Sequence, residues 1–330
     1  MKNLIKIMKD KAKAKRRKIV IGEGWEERCL KAADYVLREG YADLVLLGDE
    51  KKINDEAKKL NVDITAAEII NNKTSDMREK LAKELAELRK HKGMTEEKAM
   101  ELLDDVNYFG CMLLHTGYAD GFAGSAICST AELMRPALQI IKTKPDASLV
   151  SETVIMNDTK NDRVLFFSDC SLNIDPDDEQ LAQMAVNAGD MAKSFSFKPK
   201  VALLSFSTKG SGGDAPIIQK TLKAAEIAQK KRPDYIIDAE YQGDAAINPK
   251  AAAKKCSGAR IQGDANVLVF PNLTAANITA HLLGQLSDMK MEMSSLMGIR
   301  KPVMILGRST PPETVTNLII MAAMEANVNE

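Results

Sequence analysis

The chain has 330 residues, long enough to bury a large core and to form two domains. Its 46 Lys+Arg balance 46 Asp+Glu, which excludes a net field that would recruit nucleic acid or an acidic membrane surface. With 45% hydrophobic and 28% charged residues it has a globular composition, and no apolar run approaches the ~20 residues of a membrane-spanning helix.

The basic stretch from Lys9 to Lys18 reads as a solvated N-terminal helix. It could pass for the basic start of a signal peptide, but no apolar segment follows it, so a solvated helix is the expectation. Lys18–Ile21 predicts a first strand closed by Gly22 and Gly24. Residues 26–39 predict a helix with Leu30, Ala33 and Leu37 on one face, stopped by Gly40. Residues 44–47 predict a second strand, and this alternation marks a parallel α/β sheet. Ser75 is expected to cap a long charged helix through Met77, Leu81, Leu85 and Leu88 that ends at Gly93. Its last turn carries Arg89, Lys90, His91 and Lys92; cations there offset the helix dipole, but four in a row exceed what capping needs. Thr95, before Glu96 and Glu97, starts a further helix.

Residues 120–143 are the stretch around which the chain is organised. Gly121, Gly124 and their small neighbours predict a βα turn, Ser129 and Thr130 supply a hydroxyl pair, and Arg135 follows at helical spacing. Small residues let a backbone approach a ligand, hydroxyls and amides donate to an anion, and an arginine fork grips phosphate. Beyond it, residues 149–156 and Arg163–Ser168 predict neighbouring strands joined by a polar turn, and residues 177–192 a helix. A strand over 200–205 runs into a loop containing Ser207, Thr208, Gly210, Gly212 and Gly213, with Pro216 near the start of the next helix. Strands over 235–240 and 266–270 are each followed by a helix, and a last strand over 302–306 precedes a closing helix over 311–327.

Several chemistries compete for this pattern. Gly210, Gly212 and Ala215 match G-x-G-x-x-A, with Asp238 where a ribose-binding acid would lie, so a dinucleotide site is one reading. A hydrolase triad is poorly supported, because only His91, His115 and His281 exist and no G-x-S-x-G elbow appears. Metal chemistry is no stronger: Asp238, Asp244 and Asp264 are spread over different elements, with no clustered Cys and His. Cys29, Cys111, Cys128, Cys170 and Cys256 are scattered, which fits free thiols in a reducing cytoplasm. Three separated arginines remain beside small-residue loops: Arg89, Arg135 and Arg308, the last at the end of the final strand, where open α/β sheets place ligands.

The chain resembles the phosphate acetyltransferase (phosphotransacetylase) family almost from end to end. The matching stretches are LRKHKGMT from Leu88, LMRPALQIIKT from Leu133, SDC from Ser168 with Asn173, VALLSFSTKGS from Val201, DAAI from Asp244 and NVLVFP from Asn266. The resemblance implies an α/β fold like that of the isocitrate and isopropylmalate dehydrogenases, with two α/β domains flanking a cleft. Domain one would be 1–148 plus 301–330, and domain two, the dimerising one, 149–300. It implies reversible acetyl transfer between acetyl-CoA and inorganic phosphate in a cytoplasmic homodimer, with coenzyme A and phosphate as substrates. No metal, cofactor, nucleic acid or membrane is implied. Arg308, Arg135 and Arg89 align with the family's active-site arginines, and Ser125, Ser129, Thr130, Ser207, Thr208 and Asp244 are the implied substrate-binding residues.

The C-terminal motif departs from the family. Where relatives carry a Ser before the last arginine and an Asp six residues after it, this chain reads MILGRSTPPET from Met304, with Gly307 and Thr314 at those positions. Thr cannot take a proton near neutral pH, so the usual thiol base is absent there; Ser309, Thr310 and Glu313 are the near neighbours. Gly124-Ser125 stands where the family commonly has Ser-Gly, and Cys128 where it has His. The first expectation is an acetyl-specific acyltransferase. A non-catalytic or regulatory acyl-CoA-binding relative, an acyltransferase for a longer chain and an NAD-dependent enzyme are the alternatives.

Overall fold

A computed structural model describes residues 2–328. The chain forms two compact units, Ile5–Thr143 with the stretch from Ile299 onward, and Lys144–Gly298. Among the described residues the strands are β1 (Lys18–Ile21), β2 (Asp43–Leu47), β3 (Glu68–Ile70), β4 (Gly121–Gly124), β5 (Ser151–Asp158), β6 (Arg163–Ser168), β7 (Lys200–Leu204), β8 (Ile236–Tyr241), β9 (Val267–Val269), β10 (Met289–Met297) and β11 (Val303–Ile305). No described helix is long and apolar enough to cross a membrane.

In the first unit β11-β4-β1-β2-β3 form one parallel sheet, with Ile19 opposite Leu44 and Val20 opposite Phe122. A parallel sheet needs cover on both faces, which is why β1 is a continuous apolar run whose Ile19, Val20 and Ile21 are fully buried. Helix Glu27–Glu39 begins where the Glu26 side chain accepts the Cys29 N–H at 3.1 Å. It ends at Gly40, whose φ of 70° is the left-handed closure that glycine allows. It packs on the C-terminal helix Pro312–Val328. That helix is apolar nearly all round because most of it, including Ile319 to Ala323, is fully buried.

Two expectations need correction. The glycines that open residues 120–143 form the buried strand β4 and not a turn. A Cβ on Gly110 would come within 2.6 Å of the Phe122 ring, so bare backbone lets helix Val106–His115 settle against this strand. Ser75 does not cap the charged helix either. Its hydroxyl accepts the Met77 N–H at 3.3 Å, the helix runs only over Arg78–Arg89, and a 3-10 turn over Lys90–Lys92 closes on Gly93.

The second unit has a mixed sheet in the order β10-β5-β6-β9-β7-β8; β10, β5 and β6 pair antiparallel and the remainder parallel. Side chains alternate across it. Phe166 meets Phe197 on one face at 5.5 Å between ring centroids, while Phe167 meets Phe270 on the other at 5.2 Å. β10 had no counterpart in the sequence reading, because Met-Lys-Met-Glu-Met-Ser-Ser carries none of the β-branched or aromatic residues that mark strands.

Candidate active site

The first sheet changes direction beside β1. The chain moves outward through β2 and β3 on one side, while β4 and β11 lie on the other. Ligands of open α/β sheets bind at such a reversal, beyond the carboxyl ends of the strands. Here those ends are Gly22 to Trp25 after β1, Ser125 to Thr130 after β4, and Leu306 to Thr310 after β11.

After β4 the chain turns through Ser125 at φ 65°, and the buried Ser125 hydroxyl donates to the Cys128 carbonyl at 3.2 Å. Ser129 then opens the short helix Thr130–Pro136, its N–H and hydroxyl each donating to a Glu132 carboxylate oxygen at 2.7 Å. Those two bonds hold the Glu132 carboxyl below its ordinary range, and the nearby Arg308 and Arg135 guanidiniums add to the effect. Burial pushes the Tyr108 phenol up, while Arg135 and Arg89 pull it down. Arg308 and Arg135 therefore share one carboxylate, and Arg135 and Arg89 one phenol, within electrostatic reach. The three arginines predicted from sequence come together in this unit.

Their lack of partners sets them apart. Every other arginine of the chain reaches a carboxylate or a backbone carbonyl. Among the described residues Arg89, Arg135 and Arg308 make no hydrogen bond or ion pair, and Arg89 Nε is buried with no acceptor. Arg135 and Arg308 are exposed and Arg89 is half-buried, so their donors are open to an incoming anion.

Ser207, Thr208 and Asp244 belong to the other unit and have internal partners. The Ser207 hydroxyl donates to Glu240 Oε1 at 2.5 Å, Thr208 Oγ1 accepts the Gln242 N–H at 3.0 Å, and Asp244 pairs with Lys255 at 2.7 Å. The glycine loop there is not an open phosphate cradle. Both carboxylate oxygens of buried Glu240 accept the Gly210 N–H at 2.8 Å, so a pyrophosphate at that amide would meet a carboxylate. Asp238 is also engaged, by Lys209 at 2.8 Å and by the Tyr241 hydroxyl at 2.6 Å. The dinucleotide reading loses both of its supports.

The substituted motif after β11 has its own geometry. Gly307 adopts φ 66°, and a Cβ there would approach Thr310 Oγ1 to 2.7 Å. Glu313 is exposed and Thr314 half-buried in the first turn of the C-terminal helix. Sequence reasoning missed Arg28, which binds the carbonyls of Gly307, Thr310 and Ala126 and so ties two site loops together. It also missed Glu23, buried after β1, where the Cys128 thiol donates to Oε1 at 3.7 Å. The only local signal was an acid between two glycines at a strand end.

The family model for phosphate acetyl/butaryl transferases matches residues 3–323. A phosphate acetyltransferase of Staphylococcus aureus is 44% identical over 329 residues, covering 99% of both chains. A phosphotransacetylase structure from Streptococcus pyogenes superposes with a TM-score of 0.94 at 40% identity, covering 99% of this chain and 98% of the other. A Salmonella typhimurium structure described as a 4-hydroxythreonine-4-phosphate dehydrogenase matches with a TM-score of 0.54 at 12% identity, which shows a shared fold alone. Fold and full-length matches together define a two-unit α/β acyltransferase. The chain belongs to the phosphate acetyl/butaryl transferase family.

Proposed function

We propose that this protein is a phosphate acetyltransferase, moving an acetyl group reversibly between coenzyme A and inorganic phosphate. The observation that carries the reading is the set of three unpaired arginines, Arg89, Arg135 and Arg308, in a chain similar to phosphate acetyltransferases along its whole length. In the thioester-forming direction the coenzyme A sulfur attacks the acetyl carbonyl of acetyl phosphate. A tetrahedral oxyanion forms, and the C–O bond to phosphate then breaks. Negative charge grows on the carbonyl oxygen and on the leaving phosphate, where fixed guanidiniums lower the barrier. The acyl group passes directly between substrates, so this reading needs no resident metal or cofactor.

The assembly we propose is a homodimer formed through the second unit. Helix Leu273–Leu286 exposes Ile278, Leu282 and Leu286 at spacings of four, with Leu286 79% exposed, and Met291 on β10 is exposed as well. Such a ridge at helical spacing fits the face of a second copy.

Acetyl-CoA formation from acetyl phosphate and coenzyme A tests the activity. Turnover with acetyl phosphate faster than with butyryl phosphate is expected. The reverse preference would reassign the protein to a longer acyl chain. Tight acyl-CoA binding without turnover would make it a non-catalytic relative, the outcome that Gly307 and Thr314 would motivate.

A further inference from the structure

Strand β8 lies at the edge of the second unit's sheet, beside β7. Its register against β7 slips by one residue: Ala239 faces Leu203 and Tyr241 faces Leu204, with Glu240 as the extra residue between them. Glu240 sits at φ 61°, in the left-handed region that a residue with a Cβ rarely enters. A bulge of this kind re-aims a side chain, and such strain persists where the surrounding structure over-determines it.

The re-aimed carboxylate holds the loop that follows β7. Ser207 Oγ donates to Glu240 Oε1 at 2.5 Å, the Gly210 N–H donates to both carboxylate oxygens at 2.8 Å, and the Lys209 N–H donates to the Glu240 carbonyl at 3.2 Å. The residues two positions to either side act on the same loop. Asp238 accepts Lys209 Nζ at 2.8 Å, and the Gln242 N–H donates to Thr208 Oγ1 at 3.0 Å. From the other side Gly212 lies so near that a Cβ there would come within 2.7 Å of Ser207 Cβ. Ser207, Thr208 and Glu240 are buried at 1%, 4% and 4% exposure, and both hydroxyls are spent inside the unit. What the loop turns outward is Phe206, 61% exposed, just beyond the carboxyl end of β7. Strands β6, β9, β7 and β8 run parallel, and parallel sheets offer ligands the carboxyl ends of their strands.

We propose that Glu240 is a positioning residue for acyl transfer: it clamps the loop over residues 207–211 so that Phe206 is presented in one orientation to the coenzyme A substrate. Ser207 and Thr208 then act through the clamp and do not touch substrate. The proposal rests on the acyltransferase reading above. Of the two substrates, acetyl phosphate is a small anion, whereas coenzyme A carries a pantetheine arm whose methyl and methylene groups suit an aromatic face. A side chain fixed before binding loses little freedom when the ligand arrives. The Gly210 amide is already filled by Glu240, which leaves it no proton to offer a phosphate.

The full-length protein is assayed for acetyl-CoA formation, with KM for coenzyme A and KM for acetyl phosphate measured separately, beside melting temperature and amide hydrogen exchange. Phe206→Ala, at an exposed position, should melt like the wild type. It should raise the coenzyme A KM about tenfold, the loss of one aromatic contact, and leave the acetyl phosphate KM unchanged. Glu240→Ala should show the same split and speed exchange of the Gly210 amide. Glu240→Gln keeps one acceptor oxygen and should recover most of the loss. Should Glu240→Ala not fold, Ser207→Ala, which removes a single bond to the carboxylate, takes its place with the same split expected. Faster loop exchange with an unchanged coenzyme A KM makes the clamp structural only and overturns the proposal. So does a loss shared equally by both KM values, a Gln variant as damaged as the Ala variant, or an unchanged coenzyme A KM in Phe206→Ala. An altered sedimenting mass of Phe206→Ala assigns the ring to a subunit contact and likewise overturns it. A wild-type protein without acyl transfer sinks the proposed activity. Calorimetric titration of the same variants with coenzyme A then decides the clamp alone: affinity weakened about tenfold supports it, and unchanged affinity overturns it.

Discussion

Arg28 Nη1 lies 3.0 Å from the carbonyl oxygen of Gly307, across 279 residues of sequence. The same guanidinium donates to the carbonyls of Thr310 at 2.9 Å and Ala126 at 2.8 Å, while Nε is held by Glu26 at 2.7 Å. One planar fork thus sets the spacing between the loop that precedes Ser129 and the loop that carries Arg308. Backbone carbonyls at strand ends have no sheet partner, and five rigid donors can satisfy several at once.

Arg28→Lys keeps the charge but offers a single flexible ammonium in place of the fork. Misplacing site loops by about 1 Å costs up to roughly 10²-fold in rate. We expect kcat to fall by that order while phosphate affinity changes little, since Arg28 is spent on carbonyls. Steady-state kinetics decides the matter: a loss confined to phosphate KM would place Arg28 against substrate.

Arg308→Ala removes a guanidinium that has no internal partner, so stability should be unchanged. Loss of one transition-state charge contact costs about 10²–10³-fold in kcat. Thermal melting together with turnover checks both halves. Near-normal turnover removes Arg308 from the site.

Gly307→Ser would restore the residue usual in the family. Here it puts a side chain at φ 66° and a Cβ 2.7 Å from Thr310 Oγ1. The left-handed backbone alone costs a residue with a Cβ about 1–2 kcal/mol. We expect a lower melting temperature and no gain in rate. A stable, faster variant would show that the loop readily adopts another conformation.

If the resemblance to the family holds at this motif, Thr314 leaves the coenzyme A thiol without a carboxylate base. A free thiol ionises near pH 8.5, and below that the thiolate fraction rises about tenfold per pH unit. Acetyl-CoA synthesis should therefore climb between roughly pH 7 and 8.5, and Thr314→Asp should flatten the climb. A wild-type rate that is flat over this range places the base elsewhere. Damage from Glu313→Gln would point to that neighbour.

Leu282→Glu puts a charge into the exposed ridge of helix Leu273–Leu286. If that ridge is the dimer face, the variant should sediment as a monomer at micromolar concentration. A mass identical to wild type clears the ridge of that role.

What the amino-acid sequence determined by itself is local. The strand Lys18–Ile21, the caps at Glu26 and Thr95 and the closure at Gly40 each depend on a few adjoining residues, through hydrophobic period and dihedral preference. The motifs around Arg89, Arg135 and Arg308 could likewise be picked out one at a time. That these arginines come within electrostatic reach of Glu132 and Tyr108, yet make no hydrogen bond or ion pair among the described residues, was decided only by the tertiary fold. Gly121–Gly124 looked like a turn because glycine disfavours strands; it is a strand because Phe122 and helix Val106–His115 need bare backbone to meet. The glycine loop after β7 looked open until Glu240, thirty residues further on, filled its amide. Arg28 carried no signal of its own. Its role lies in carbonyls that come within reach only after the chain between them has folded, because long-range contacts depend on topology and not on neighbouring residues.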